Sequence, residues 1–364
     1  MNQINIIRDS ALPLMRLLPN IISKAITLNV IAFFLSLFLM NLVFAAESEE
    51  SIATTLNFDE KQLDQLLKGE FVTFKVDEET PKELAIGIAM YLSTPPDKVI
   101  SFFKQNDLAK VDPDVLIYHE IPKNPDKDSF HDFRFIPDQI EEVNELLSAK
   151  VGYKFNLSEE EIKSLNALKE KSVYWDKPQL IEAASLHYQE ILLKRLQEYQ
   201  KQGLKGIKPY ARKNGAADPA QELAIAAKTS EWLKKFPSSI QKIWINYPVP
   251  FLPGMEEHFT WFNREIEGRP TAILSHRVLF SSDRNALILS RQFFVGHTYN
   301  SSQLLIGYLP YHNRSVVFYV HRTSTDRVAG TGQKLKHTIG RKQMEEKMII
   351  NFKGLRSFVQ PSKS

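Results

Sequence analysis

The last third of the chain leaves the least freedom of fold. Five segments with strand patterning, at 257–266, 271–281, 286–297, 302–309 and 314–323, follow one another closely. Only Gly268, Asp283 to Asn285, Asn300, and His312 with Asn313 mark the breaks between them. Connections that short cannot carry a crossover, so the segments predict an antiparallel meander. Such a sheet needs cover for its apolar side. The segment that follows, 331–359, is a basic helical stretch with Leu335, Ile339, Met344, Met348, Phe352, Leu355 and Val359 as its apolar positions, and Gly340 as a place to bend.

The front of the chain supplies more of the same sheet. Asn57 to Glu60 has capping-box form ahead of Leu63, Leu66 and Leu67, and Gly69 ends that helix. Strands are predicted over 70–76, 83–92 and 115–121. Thr94-Pro95-Pro96-Asp97 starts a helix whose inner face is Val99, Ile100, Phe102 and Phe103. The middle differs, with helices predicted over 138–149, from Ser158 onward, over 177–202 and over 218–236, then a short one after Pro237. Val151, Tyr153, Phe155 and Leu157 alternate with polar residues as in a short strand. Pro248, Pro250 and Pro253-Gly254 mark a boundary.

The stretch from Ala85 through Thr94-Pro95-Pro96 to Phe103, and the run from Val316 through Arg322, Asp326 and Gly330 into the last helix, carry a resemblance. The chain resembles the START-like, or helix-grip (polyketide cyclase-like), superfamily over about 70–122 and 257–359. The resemblance implies an α+β fold: a curved antiparallel sheet wrapped on a long C-terminal helix, with a cavity between them. This chain departs from it in an inserted helical subdomain. The expected organisation is a signal peptide over 1–45, the first part of the α+β domain over 46–122, a mainly helical insertion over 123–256, meander and helix over 257–359, and a tail over 360–364.

Apolar faces carrying a few polar groups are what small-molecule sites require. Over 271–281, Ala272, Leu274, His276, Val278 and Phe280 share a face. Over 286–297, Leu287, Leu289, Arg291, Phe293, Val295 and His297 share another. The candidate ligand-binding residues are therefore His276, Arg291, His297, Tyr299, Tyr319 and Arg322. The competing reading makes His276 a satisfied core histidine and pairs Arg291 with a carboxylate, because a buried charge needs a partner.

Arg8, Arg16 and Lys24 precede an uncharged stretch from Ala25 to Ala46, and Val43-Phe44-Ala45 offers small residues for cleavage. This predicts export with cleavage near Ala45, and so a periplasmic or secreted protein; an uncleaved anchor is the alternative. The absence of cysteine fits an oxidising compartment and excludes disulfides, thiolate nucleophiles and cysteine metal sites. Residues 46–170 hold 27 acids and 14 bases, whereas 171–364 hold 15 and 29. The halves are expected to attract each other; a basic face for an anionic membrane surface is the alternative.

No Gly-x-Ser-x-Gly, His-Glu-x-x-His or complete phosphate loop is present, so no catalytic residue, metal or cofactor is expected. Nucleic acid is not an expected partner. The expected function is an exported, non-enzymatic protein binding a lipid-like or hydrophobic small molecule between sheet and C-terminal helix. Two alternatives are an enzyme using His276 or His297 as general acid or base, and an envelope interaction module using the helical insertion.

Overall fold

The structure is a computed structural model that describes residues 48–105, 108–282 and 285–360. The expected signal and its cleavage point lie outside the described residues, as do 361–364 of the tail. The chain divides into units 1–45 and 46–364, and the second is the one described.

It opens with helices α1 (Glu49–Leu56) and α2 (Glu60–Leu67), strands β1 (Val72–Phe74) and β2 (Glu83–Leu92), helix α3 (Pro96–Gln105) and strand β3 (Val115–Ile121). The cap of α2 is Asp59, whose carboxylate accepts from the Gln62 amide at 2.8 Å, two residues past the expected Asn57. The middle holds α4 (Ile140–Leu147), α5 (Glu159–Lys171), α6 (Lys177–Gln202), a hairpin of β4 (Tyr210–Arg212) and β5 (Gly215–Ala217), then α7 (Pro219–Thr229), α8 (Glu231–Lys234) and α9 (Ser238–Asn246). The end is the expected meander, β6 (Met255–Ile266), β7 (Arg269–Ser282), β8 (Asn285–Val295), β9 (Ser301–Tyr311) and β10 (Arg314–Ser324), followed by α10 (Gln333–Val359).

Two expectations are corrected. Residues 151–157 form no strand: Asn156 instead bonds the Gly296, Val295 and Tyr299 carbonyls, pegging a loop to the sheet. The helix expected over 218–236 breaks at Ser230, whose hydroxyl caps α8 at the Leu233 amide. The β4–β5 hairpin and α1 are elements that the sequence pattern does not announce.

Eight of the ten strands form one antiparallel sheet in the order β1-β2-β10-β9-β8-β7-β6-β3. The fold is therefore α+β, with a long C-terminal helix. The two sheet faces are covered differently. The middle segment packs on one face, where Leu192, Leu196, Tyr199 and Leu223 join Phe259, Trp261, Leu274, Phe293 and Phe294 in one buried cluster. On the other face α10 brings Met348, Phe352 and Leu355, and α3 brings Val99, Phe102 and Phe103, against Ile88, Ile288, Ile306 and Tyr319.

Charge ties the acidic and basic halves together as expected. Arg322 grips Glu83 through two bonds of 2.7 and 2.9 Å. Arg341 reaches Glu78 at 2.9 Å, Arg269 reaches Glu142 at 2.8 Å, and Lys347 lies 2.6 Å from Asp112. Among the described residues no helix is long and apolar enough to cross a membrane.

Candidate functional site: a cavity between sheet and C-terminal helix

A cavity of about 580 Å³ lies between the sheet and α10. That volume suits a drug-sized molecule. From α10 it is lined by Lys336, Ile339, Gly340, Met344, Met348 and Asn351, among others. At 1.5 Å per residue, 336 to 351 spans about 22 Å of helix, so the cavity is elongated. Gly340 allows the close approach, since a Cβ there would lie 2.6 Å from a Leu84 methyl. Glu267, Arg327, Lys336, Ile339 and Gln343 line the cavity and are exposed, which marks its open side.

Strand register arranges the floor in rows. One row is apolar and runs Leu279, Ile288, Ile306, Tyr319 and Ile88 across five strands. The next runs Arg277, Ser290, Leu304 and His321. A third runs Ser275, Gln292, Ser302 and Thr323, and ends at Leu84. The second and third rows make a polar band across the floor.

Within the band, His321 Nε2 lies 2.7 Å from the Ser302 hydroxyl and 3.0 Å from that of Thr323. The Ser275 and Ser290 hydroxyls are 3.2 Å apart, and the Tyr299 hydroxyl donates to Gln292 Oε1 at 2.6 Å. Burial, helped by the nearby positive charge of Arg264, pushes the His321 imidazole down to about 3, so it is neutral at ordinary pH. Burial also pushes the Tyr299 phenol up to about 12.

The cations at the wall have local partners. Arg264 is 3.2 Å from Asp112, Lys347 bonds Asp112 and Asp114, and Arg327 bonds Glu267 at 2.5 Å. Arg277 donates to the Phe103 carbonyl near the end of α3, and Lys336 donates to the Ala329 carbonyl at 3.1 Å.

Of the six expected site residues, Tyr299 and Tyr319 line this cavity. His276, Arg291, His297 and Arg322 do not. His276 is fully buried against the helical layer, with Nδ1 2.7 Å from the Tyr199 hydroxyl and Nε2 3.1 Å from Glu257. Burial outweighs the Glu257 contact and pushes its imidazole down to about 4. Arg291 takes neither expected role: it donates to the Trp244 carbonyl and sits 3.7 Å from the centre of that indole. Burial disfavours its charged form. His297 lies past the end of β8 between the Thr271 and Thr298 hydroxyls, each at 2.6 Å. Burial, with Arg269 adding to it, pushes His297 down to about 3. Arg322 is consumed by Glu83 and the Ala226 carbonyl.

The cause is parity: neighbours on a strand point to opposite faces. His276 sits between Ser275 and Arg277, and Arg322 sits between His321 and Thr323. The sequence makes the more apolar side of 271–281 and 286–297 the expected pocket side, but Ala272, Leu274, His276 and Phe293 on that side pack against the helical layer. A bulge adds to the error. Leu274 pairs with Phe294 while Ser275 pairs with Gln292, so Phe293 is an extra residue in β8. Phe293 and Phe294 therefore both join the helical cluster, and Val295 moves to the other side with Ile273 and Phe262. The sequence signal for the missed residues was the polar partner in each alternating pair: Ser275 with Arg277, Ser290 with Gln292, His321 with Thr323.

Among the described residues no group of three His, Asp or Glu side chains is placed to hold a metal ion. No protein-family model matches the chain, and no curated protein is significantly similar to it in sequence. The cavity itself therefore carries the functional argument.

Proposed function

We propose that the protein is a non-enzymatic binding protein for a hydrophobic or lipid-like small molecule held between the sheet and α10. The observation that carries this reading is the elongated cavity of about 580 Å³, with an apolar row and a polar band on its floor. Apolar burial would supply most of the affinity, at about 25 cal/mol for each Å² removed from water, and the polar band would fix orientation. In this reading the sheet and helix form a helix-grip arrangement of START-like type, and the protein acts after export to the periplasm or beyond. A histidine acid–base role draws no support from His276 or His297, because neither lines the cavity.

The test is native mass spectrometry, with organic extraction, of protein purified gently from its own host. A co-purifying hydrophobic compound in stoichiometric amount is the expected result. A clean unliganded mass, together with failure of a neutral hydrophobic dye to bind, would end the reading.

A further inference from the structure

We propose that the cavity takes an uncharged amphiphile, whose hydroxyl or carbonyl oxygen docks at His321 and whose apolar body lies along the row of Ile288, Ile306 and Tyr319. This rests on the binding-protein reading above and narrows it to a ligand class.

The first support is the state of the charges. Arg264 and Lys347 face Asp112 and Asp114, Arg327 faces Glu267, and Arg277 and Lys336 bond main-chain carbonyls. An anionic head would have to compete with these partners or give up its water against neutral groups, and both are costly. An ammonium head would meet a wall in which bases outnumber acids.

The second support is the polar band. Ser290, Gln292, His321 and Thr323 line the cavity and present neutral hydrogen-bonding groups. The Thr323 hydroxyl lies 3.4 Å from Ser302 Oγ and 3.0 Å from His321 Nε2; in this arrangement the Ser302 hydroxyl, 2.7 Å from Nε2, donates to it. With Nε2 accepting, the ring proton sits on Nδ1. The Ser302 and Thr323 hydroxyls both meet His321 at Nε2, so Nδ1–H is the donor offered to a ligand oxygen.

The third support is the apolar end. Phe103, Ile288, Ile306, Tyr319 and Met348 line the cavity beside the band. They give a ligand body somewhere dry to lie while its oxygen reaches His321.

The test uses the full chain and displacement of Nile red, a neutral dye, at pH 7.5. The competitors are four compounds of one alkyl chain length: the primary alcohol, the methyl ketone, the carboxylate and the ammonium. The alcohol and ketone are expected to bind at least tenfold tighter than the two ions. His321→Phe is expected to erase most of that preference while dye affinity holds. Thr323→Val removes a hydroxyl beside Nε2 at nearly constant size, and is expected to weaken the alcohol several-fold should His321→Phe fold poorly. Carboxylate binding as tight as alcohol binding overturns the proposal, and so does an alcohol preference that survives both variants. Equal binding of all four compounds overturns the head-group assignment but leaves the hydrophobic-binding reading standing. Failure of all four, and of the dye, removes both.

Discussion

Three histidines share one electrostatic condition. His276 is held down to about 4, and His297 and His321 to about 3, in each case chiefly because burial disfavours the charged ring. The unfolded chain binds protons near 6.5 at each of them. A depressed folded value means the unfolded state takes up more protons below about 6.5, so stability is present above that pH and is lost progressively down to about 3. Glu222 works in the opposite sense. Burial raises it to about 7, so its contribution is present below about 4.5 and is lost as pH rises through 7. Three groups oppose one, so the melting temperature is expected to fall between pH 7 and pH 5; a melting temperature that rises toward pH 5 would refute this balance. A second residue-scale prediction concerns Arg322, which is 4% exposed and gripped by Glu83 at 2%. Removing one partner of a buried pair strands the other's charge. Glu83→Ala is expected to cost about 3–5 kcal/mol by urea unfolding, and a loss below 1 kcal/mol would show that water reaches the guanidinium.

At the scale of elements, the turn between α6 and the following segment is the tightest constraint. Gly203 has φ of +59°, and a Cβ there would lie 1.7 Å from the Tyr247 carbonyl oxygen. Gly203→Ala is expected to cost on the order of 3 kcal/mol, combining left-handed strain with a backbone clash; an unchanged urea midpoint would contradict it. Gly203 was readable in advance as a helix stop, because glycine after an apolar-periodic run is a local signal. So were Ser158 with Glu161, the capping pair of α5, and Pro219 at the start of α7. The meander was readable because its connections are too short for anything else. What could not be read was which side of each strand faced the cavity. β2 is buried at nine of its ten positions, and strands covered on both faces lose the alternation that marks an inside. The bulge at Phe293 has no local signature, since one extra residue between two apolar faces leaves the sequence looking regular. Residues 151–157 alternate as a strand would, yet Asn156 spends its hydrogen bonds on a loop contact that no local pattern encodes.

The unit described is asymmetric across its sheet, packed on one side and hollow on the other, and that difference is measurable. Leu274 is fully buried among the helical layer, so Leu274→Ala leaves a void where packed neighbours stood. Such a change is expected to cost about 2–5 kcal/mol, the transfer loss plus the cavity left behind. Met344 lines a space that exists already and is only partly buried, so truncating it removes few contacts. Met344→Ala is expected to cost under about 1.5 kcal/mol, because atoms facing a void have no partners on that side to lose. Ligand addition separates the two faces further. A ligand that binds only the folded state at a hundred times its Kd adds about 2.7 kcal/mol to stability. Leu274→Ala should receive that full increment, since its defect lies across the sheet from the site. Met344→Ala should receive less, because its side chain forms part of the wall. Urea unfolding of both variants, with and without the best competitor from the displacement series, gives four free energies. Equal increments in the two would mean that the ligand sits somewhere other than between the sheet and α10.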